Sequence, residues 1–379
     1  MQEAILTINI GSSSVKFAVY EARAPEPVLL FKGTQDDRAL IIHDPAGKPI
    51  KDVMAEQPAH EAANPALLLL DRVESLLPHH TLAAAGHRIV HGGPGFSAPV
   101  LIDGDVLSRL DALTPLAPLH QPRCLEPVRQ LFAERPDLAQ VACFDTAFHR
   151  DMPALYHRFP LSREFEAKGI RRYGFHGLSF EYIARKLDRL DLRVVVAHLG
   201  SGCSLCAIDK GKSVNTTMSL TPLDGVMMAT RSGAIDPGLL LYLQRAEAMS
   251  VSEIEDLLYH RSGLLGVSGI SADIRTLLAS ADEKAKEAIA QFCARIAEQI
   301  CVMATAMNGL DRLVFTGGIG EHNAEIRKNI CARLEWLGIA PPDETGEDHP
   351  GRIPVLTIPT DEEFIIALHT MNVLAQRGN

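Results

Sequence analysis

The fold of this chain is indicated by two similar stretches, ILTINIGSSSVKFAVY at residues 5–20 and VVVAHLGSGCSLCAID at residues 194–209. When they are aligned at a constant offset, Gly11 falls on Gly200. Each stretch predicts an apolar strand, a turn of small residues and a second apolar strand, which form a β-hairpin whose backbone N–H groups can face an anion. Its recurrence about half a chain later predicts a duplicated α/β domain, with two phosphate-binding hairpins facing each other across a cleft. Two unrelated hairpins with similar turns are the alternative.

Length and composition limit the class of protein. At 379 residues the chain is longer than one ordinary domain, so two domains are expected, and a hydrophobic content of 46% supports sizeable cores. The net charge of −10 disfavours nucleic acid or an anionic membrane surface as the main partner. An anionic substrate would need a local cluster of basic residues. The stretch 36–64, rich in proline, glycine and charge, predicts loop or edge structure.

The cysteines and the apolar runs indicate a cytoplasmic protein. The seven cysteines are an odd number, and the start MQEAILTINI lacks the basic region of a signal peptide. No apolar run reaches the roughly 18 to 20 residues of a membrane span. We therefore expect reduced thiols in the cytoplasm. Cys203 and Cys206 have no second Cys-x-x-Cys pair to complete a zinc site, so strand packing is favoured over a metal or redox motif.

Other segments fit an α/β arrangement. VACFD predicts a buried strand that ends on Asp145, and residues 312–327 predict a strand, a glycine turn and a helix. Apolar residues recur at helical spacing over residues 283–308. A capping box at residues 280–283 is expected to start this helix, and Gly309 to stop it.

Two glycine motifs resemble known nucleotide loops only in part. Gly211 to Ser213 imitates the end of a P-loop, but Cys206 occupies the place of its leading glycine, so a hairpin turn is predicted. Gly318 and Gly320 follow a strand as in a dinucleotide fingerprint, yet Asn323 stands where the third glycine belongs. A nicotinamide dehydrogenase is therefore a weak alternative. The firmer interpretation is a helix N-terminus whose N–H groups face an anion or a nucleotide.

Basic side chains next to small residues favour a phosphoryl transferase, which needs positive charge at the equatorial oxygens. Each of these residues alone is more often structural. Glycine beside so many of them permits close approach of a ligand to the backbone and argues against a merely solvated surface. The candidates are Lys16, Arg88, His91, His120, His176, His198, Arg231 and Arg275.

An ordered set of motifs resembles one known family. INIGSSSVKF resembles the first signature of acetate kinases, and HRIVHGG, FDTAFH, YGFHG, HLGSG, TPLDGVMMATRSGAIDPG, TGGIGE and PTDEE follow in that family's order. The motifs extend over essentially the whole chain. By this resemblance the chain is identified as a member of the acetokinase family, within the actin, sugar-kinase and heat-shock ATPase superfamily.

The resemblance implies an architecture and a reaction. Two duplicated ribonuclease-H-like, actin-like ATPase domains are expected, with the active site in the cleft between them. Residues 1–148 plus 364–379 would form the acceptor-side domain, closed by the C-terminal helix, and residues 149–363 the nucleotide-binding domain. The reaction would be reversible, magnesium-dependent transfer of the γ-phosphoryl of ATP to acetate, giving acetyl phosphate and ADP. Mn2+ is expected to substitute for Mg2+, and a homodimer is implied.

The resemblance also implies roles for individual residues. The catalytic positions are Asp145, His176 and Arg231. The acetate-contacting arginine is Arg88, and the apolar pocket for the methyl group consists of Val90, Leu119, Phe175 and Pro222. The magnesium positions are Asn9 and Glu362. The nucleotide-binding positions are Lys16, His198, Leu199, Gly200, Ser201, Gly202, Asp273, Ile274, Arg275, Gly318, Ile319, Gly320, Glu321 and His322.

Several positions depart from the family pattern. Ser201 and His322 stand where asparagine is usual, as does Gln121, while Ala229 replaces a glycine and Asp224 a glutamate. Every charged catalytic position is kept. The departures at Ser201 and His322 therefore bear on nucleotide affinity and choice of base, and not on the chemistry.

Rival functions stay open. A propionate or butyrate kinase of the same family is the main alternative. A non-catalytic ATPase-fold binding module would not need both Arg88 and Arg231, and a dehydrogenase would need the missing glycine of the fingerprint.

The chemistry of the acceptor indicates what the site must do. Acetate is already ionised at pH 7 and needs no general base. Arg88, Arg231 and His176 would screen the repulsion between the carboxylate and the γ-phosphoryl. Asp145 is then expected to hold magnesium or its waters, or to orient a cationic side chain. Val90 is branched and is expected to leave little room beyond one methyl group.

Overall fold

The computed structural model describes residues 2–11, 15–35, 39–50, 65–339 and 351–377. The predicted turn of the first hairpin at residues 12–14 and most of the predicted loop at residues 36–64 lie outside this part. The chain divides into two compact units, residues 1–148 with 361–379 and residues 149–360.

The first unit is built on a seven-stranded sheet with helices on its faces. Strands β1 and β2 pair antiparallel, while β5 runs parallel to both β1 and β7. The strand order is β4-β3-β2-β1-β5-β7-β6. Its elements are β1 (Gln2–Ile10), β2 (Val15–Glu21), β3 (Val28–Gln35), β4 (Leu40–His43), α1 (Pro65–Ser75), β5 (His80–Ile89), β6 (Val100–Leu101), α2 (Gly104–Asp111), α3 (Gln121–Glu134) and β7 (Ala139–Phe144).

The second unit has a five-stranded sheet in the order β10-β9-β8-β11-β12. Here β8 and β9 pair antiparallel, and β11 runs parallel to β8 and to β12. Its elements are α4 (Ala154–His157), α5 (Arg163–Ala167), α6 (Gly177–Lys186), β8 (Arg193–Leu199), β9 (Cys203–Asp209), β10 (Lys212–Thr216), α7 (Pro237–Arg245), α8 (Val251–His260), α9 (Gly263–Ser268), α10 (Ile274–Leu278), α11 (Glu283–Ala306), β11 (Arg312–Thr316), α12 (Gly317–His322), α13 (Ala324–Ala332) and β12 (Val355–Thr357).

The duplication predicted from the two hairpins is visible in the sheets. The order β3-β2-β1-β5-β7 in the first unit repeats as β10-β9-β8-β11-β12 in the second. Both are a three-stranded antiparallel meander followed by two parallel strands. The registers differ by one residue, since Ile10 pairs with Val15 but Leu199 pairs with Cys203. A constant sequence offset therefore aligns the strands but not their cross-strand partners.

The chain returns to the first unit in its last helix, α14 (Glu362–Arg377). Ala367 of this helix belongs to one buried cluster with Ala18 and Tyr20 of β2. The helix also lies so close to β5 that a Cβ at Gly86 would be 2.3 Å from Thr370 Oγ1. Only glycine leaves room for that approach. The opposite face of the sheet is covered by α1 and α3, which join the cluster around Leu6 and Val19.

Two local predictions in the second unit are wrong. The long helix begins after Asp282, whose side chain caps Lys284 N, so the predicted capping box at residues 280–283 is absent. Asp282 lies two positions nearer to the helix than Ser280, and aspartate is as good an N-cap as serine. The predicted glycine turn after β11 is itself helical, because α12 starts directly at Gly317.

The remaining structural predictions concern the cysteines and membrane spans. All seven cysteines are free. Cys203 and Cys206 lie buried in β9, where burial raises the pKa of each thiol to about 12. Within the described ranges, no helix is both long and apolar enough to cross a membrane.

Candidate active site

A buried ion pair occupies the carboxyl end of the central parallel strands in the first unit. Arg88 lies near the end of β5 and Asp145 directly after β7, and these strands are neighbours. Arg88 Nε lies 3.1 Å from both Asp145 carboxylate oxygens, and Arg88 Nη2 lies 2.6 Å from Asp145 Oδ2. The Asp145 side chain is 1% exposed. Burial acts to lower the pKa of Arg88, but the charges of Asp145 and Glu362 outweigh it and raise that pKa. The guanidinium is therefore charged and held in a fixed orientation.

Asn9, at the end of β1, links this pair to the start of α14. Its Oδ1 accepts from Arg88 Nη1 at 3.3 Å, and its Nδ2 donates to Glu362 Oε2 and Glu363 Oε1, both at 2.9 Å. Burial, and then the charge of Glu362, raise the pKa of Glu363, while Lys16 lowers it. Sequence analysis did not single out Glu363, although its position beside Glu362 was the available signal.

The donor set around Asn9 fits a hard cation. Two carboxylates and an amide oxygen are the ligand types that magnesium takes, usually with one or two carboxylates beside substrate phosphates and water. Mutual repulsion of Glu362 and Glu363 would be relieved by a positive charge. Across the described ranges, no group of three or more His, Cys, Asp and Glu could hold a metal. A metal here would therefore depend on substrate oxygens as well.

A pair of stacked histidines forms the centre of the second unit's site. His176 precedes α6 and adopts a left-handed backbone with φ of 57°, which costs about 1–2 kcal/mol for a residue other than glycine. Its ring stacks on that of His198 at 4.4 Å, and its Nδ1 lies 2.8 Å from Ser204 Oγ. His198 Nδ1 lies 2.8 Å from Ser179 Oγ. Sequence analysis missed both serines, because neither is near its histidine in the sequence.

Arg231 approaches the same backbone turn as His176. A Cβ at Gly202 would lie 3.3 Å from His176 Nε2 and 3.6 Å from Arg231 Nη1. Arg231 Nη1 donates to the carbonyl oxygen of Pro222 at 3.0 Å. The turn between β8 and β9 therefore lies next to two basic groups.

A cavity of about 490 Å3 opens beside that turn. Eight of the predicted nucleotide-binding residues line it, as do Ala229, Ala272 and Asn323, which sequence analysis did not assign. The eight are Gly200, Ser201, Asp273, Ile274, Arg275, Gly318, Ile319 and His322. The Arg275 side chain is 84% exposed and pairs with Asp273 at 2.6 Å.

The other six predicted nucleotide residues lie outside the cavity lining. Lys16 belongs to the first unit, on β2. Glu321 has a local structural role, because its Oε1 accepts from the backbone N–H groups of Gly317 and Thr360 at 2.9 and 3.1 Å. The remaining four are His198, Leu199, Gly202 and Gly320.

The four residues predicted to surround the methyl group are divided between the two units. Val90 follows Ile89 at the end of β5 and is 3% exposed. Leu119 is half-buried and also lies in the first unit. In the second unit, Phe175 is 1% exposed and precedes His176, and the buried Pro222 accepts from Arg231. The pocket assignment stays a prediction.

Comparison with known proteins assigns the class and then the family. A propionate kinase structure from Francisella tularensis subsp. tularensis SCHU S4 is similar, with a TM-score of 0.87, 37% identity, and 98% of this chain and 100% of that chain covered. Porphyromonas gingivalis acetate kinase gives a TM-score of 0.82 and 34% identity over the same shares. The architecture is therefore the two-domain actin-like ATPase fold.

The sequence relatives agree. The acetate kinase of Rhodopseudomonas palustris is 45% identical over 392 residues, covering 97% of this chain and 98% of that protein. The model of the acetokinase family matches residues 4–368. The chain belongs to the acetokinase family.

Proposed function

We propose that the protein transfers the γ-phosphoryl group of ATP to acetate, giving acetyl phosphate and ADP, and that the reaction is reversible. The observation that carries this proposal is the Arg88–Asp145 pair in the first unit. A buried, charged guanidinium held in one orientation is suited to attract a small carboxylate, because Nη2 carries a second N–H besides the one directed at Asp145. Family membership over nearly the whole chain supports the same reaction.

Acetate, the acceptor of the phosphoryl group, must be positioned but does not need a general base. Acetate is ionised at neutral pH. Both Asp145 oxygens are engaged by Arg88, so Asp145 serves to orient the guanidinium. It does not act as a general base. Of the two roles considered for Asp145, these contacts support that of orienting a cation.

The phosphoryl group is stabilised by the second unit's basic groups. His176 and Arg231 lie beside Gly202, and the cavity next to that turn receives the nucleotide. Positive charge and N–H donors placed before the reaction lower the barrier because they need not reorganise as charge moves onto the transferred oxygens.

Asn9, Glu362 and Glu363 would hold magnesium. When bound, the ion would neutralise phosphate charge, and Mn2+ with similar oxygen preference would substitute. The role of Asn9 is to keep both carboxylates in place through its Nδ2. Glu362→Gln is expected to raise the Mg2+ concentration for half-maximal rate. An unchanged Mg2+ dependence would contradict this assignment.

Trapping the acyl phosphate with hydroxylamine tests the reaction itself. Purified protein is incubated with ATP, Mg2+ and acetate, propionate or butyrate, and the hydroxamate is measured. We expect acetate to be the best acceptor. Propionate as the best acceptor would establish the alternative, which the similarity to a propionate kinase structure favours. A binding module would form no hydroxamate with any acid.

We also propose a cytoplasmic homodimer. Seven free thiols suit a reducing compartment. Helix α7 buries none of its residues, and Leu239, Leu241 and Tyr242 are 43%, 50% and 57% exposed. Such an apolar face supports contact with a second copy. Sedimentation analysis of the wild-type protein is expected to show a dimer, and the Leu241→Asp variant is expected to dissociate more readily. A wild-type protein that is monomeric would refute the proposed dimer.

A further inference from the structure

His149 is a buried histidine of the second unit to which the proposed reaction gives no role. Burial lowers its pKa to about 4, so the ring is neutral at pH 7. Nε2 lies 3.0 Å from the Phe175 carbonyl oxygen, and Nδ1 lies 2.7 Å from Ser213 Oγ. A carbonyl oxygen only accepts hydrogen bonds, so Nε2 carries the proton and Nδ1 accepts from the Ser213 hydroxyl.

Ser213 also contacts a buried thiol. Cys206 Sγ lies 3.3 Å from Ser213 Oγ and 3.6 Å from the Ala207 carbonyl oxygen. Burial raises the pKa of the Cys206 thiol to about 12, so its S–H proton is retained. The Ser213 hydroxyl proton is then available for His149. A directed chain therefore runs from Ser213 through His149 to the Phe175 carbonyl.

The carbonyl at the end of this chain lies between two left-handed residues. Gly174 has φ of 83° and His176 has φ of 57°. The His149 ring lies directly against this backbone, since a Cβ at Gly174 would be 2.6 Å from His149 Cδ2. A left-handed residue other than glycine persists only where its surroundings hold it. His149 is in contact with the peptide units on which the His176 conformation depends.

A second route leads from His149 to the His176 ring. The His149 ring meets Phe180 edge-on at 5.7 Å, and Phe180 meets His198 edge-on at 6.4 Å. His198 in turn stacks on His176 at 4.4 Å. The backbone and the side chain of His176 are thus both supported by groups that touch His149.

We infer that His149 is a positioning residue, whose Nε2–H fixes the Phe175 carbonyl and through it the backbone that presents His176 beside Gly202 and Arg231. The inference rests on the proposed function, in which His176 stabilises the transferred phosphoryl group. A displacement of about 1 Å of a group that acts in the transition state can lower a rate by about 10²-fold. We expect this loss in kcat and not in KM, because binding of the substrates in the ground state does not require the His176 ring to be aligned.

Two variants and a matched control test the role. His149→Phe keeps a ring but loses the donor, and His149→Gln restores an N–H at similar reach. His157 is a histidine of the same unit that also bonds a backbone carbonyl, Met152 O at 2.9 Å, so His157→Phe is the control. We expect His149→Phe to lower kcat about 10²-fold with KM for ATP and acetate nearly unchanged. His149→Gln should recover most of that loss, and His157→Phe should keep the wild-type kcat.

The outcomes that overturn the inference are specific. One such outcome is a folded His149→Phe variant with wild-type kcat, and another is a folded His149→Gln variant as slow as His149→Phe. Either would show that the Nε2–H of His149 does not position the backbone at His176. Long-range 1H–15N spectra of the wild-type protein give an independent readout, in which we expect the Nε2–H tautomer at His149, neutral at pH 6. Finding Nδ1–H, or a protonated ring at pH 6, overturns the inference even if the Phe variant does not fold. Failure of the proposed function shows separately, as absence of hydroxamate from the wild-type protein with every acid.

Discussion

The two units hold their basic groups in different ways. In the first unit, Arg88 is fixed by a carboxylate, with contacts of 2.6 to 3.1 Å to Asp145. In the second unit, the contacts described above are with neutral groups, the Ser204 hydroxyl for His176 and the Pro222 carbonyl for Arg231. A carboxylate orients a guanidinium and offsets part of its charge, whereas a neutral oxygen orients a cation without offsetting its charge. In the proposed reaction, the first unit would therefore supply a guanidinium in a fixed orientation for the carboxylate, and the second unit would supply positive charge for the phosphoryl group.

Removing the arginine of the first unit tests the carboxylate anchor. Arg88→Ala is expected to lower kcat by roughly two to four orders of magnitude. It also leaves Asp145 buried without its cation, and breaking a buried pair in this way costs about 3–5 kcal/mol of the free energy of unfolding. Steady-state kinetics and urea denaturation measure the two effects.

The matched control for that variant is Arg88→Ala combined with Asp145→Ala. The double variant removes the uncompensated charge, so we expect much of the stability to return while kcat stays low. If Arg88→Ala keeps more than about a tenth of the wild-type kcat while folded, the charge-screening role of Arg88 is wrong.

For Arg231 of the second unit, whose described hydrogen bond is to the Pro222 carbonyl, we expect a different result. Arg231→Ala is expected to lower kcat by roughly two to four orders of magnitude as well. Its effect on the free energy of unfolding is expected to be smaller than that of Arg88→Ala, because the Pro222 carbonyl that Arg231 contacts carries no net charge, whereas Asp145 is a buried carboxylate. A loss of stability as large as that of Arg88→Ala would show that the two units do not differ in the way described.

Acceptor choice tests the apolar end of the first unit's site. Arginine binds the carboxylate of acetate and propionate alike, so discrimination depends on the space around the alkyl group. One methylene in an apolar pocket shifts discrimination by about 1–3 kcal/mol, so acetate is expected to exceed propionate in kcat/KM by about tenfold. Val90→Ala should narrow this ratio, mostly through a lower KM for propionate. An unchanged ratio would show that Val90 does not line the pocket for the alkyl group.

One buried histidine from each unit, His87 and His149, can be compared, and the two differ in their hydrogen bonds. His149 is bonded at both ring nitrogens, whereas neither nitrogen of His87 makes a hydrogen bond of ordinary geometry within the described part of the chain, and the neighbouring Gln140 acts to raise its pKa. Burial lowers the pKa of each to about 4 from 6.5. As the pH falls, these two histidines are protonated in the unfolded chain before they are protonated in the folded one. Their contribution to the free energy of unfolding is therefore largest above pH 6.5 and decreases towards pH 4.

A substitution at His87 isolates its share of this pH dependence. His87→Leu is expected to reduce the slope of unfolding free energy against pH, between pH 4 and 6.5, by about 1 kcal/mol per pH unit. At pH 7 it should cost little, because the ring is neutral there and makes no hydrogen bond of ordinary geometry in the described part of the chain. Urea denaturation at several pH values measures the slope. A slope equal to that of wild type would mean that His87 is protonated in the folded state.

Much of the fold follows from local sequence patterns. Two apolar stretches on either side of a turn of small residues predicted both hairpins, and the strand that leads to Asp145 is present as β7. Helix capping was less predictable. A capping box does form at Ser250 and Glu253, whereas the long helix uses Asp282. Several polar residues near a helix start compete on nearly equal terms, and packing selects among them.

The sequence by itself determined the duplicated strand pattern, the order of the motifs and hence the family. Only the tertiary structure decided which side chains meet. Asn9 and Glu362 are 353 positions apart and come together because α14 returns to the sheet at β1. The pairing of Arg88 with Asp145 depends on two neighbouring parallel strands ending at one edge. Hydrogen bonds and pKa shifts fall off within a few ångströms, so they depend on distances in space that motif order along the chain does not specify.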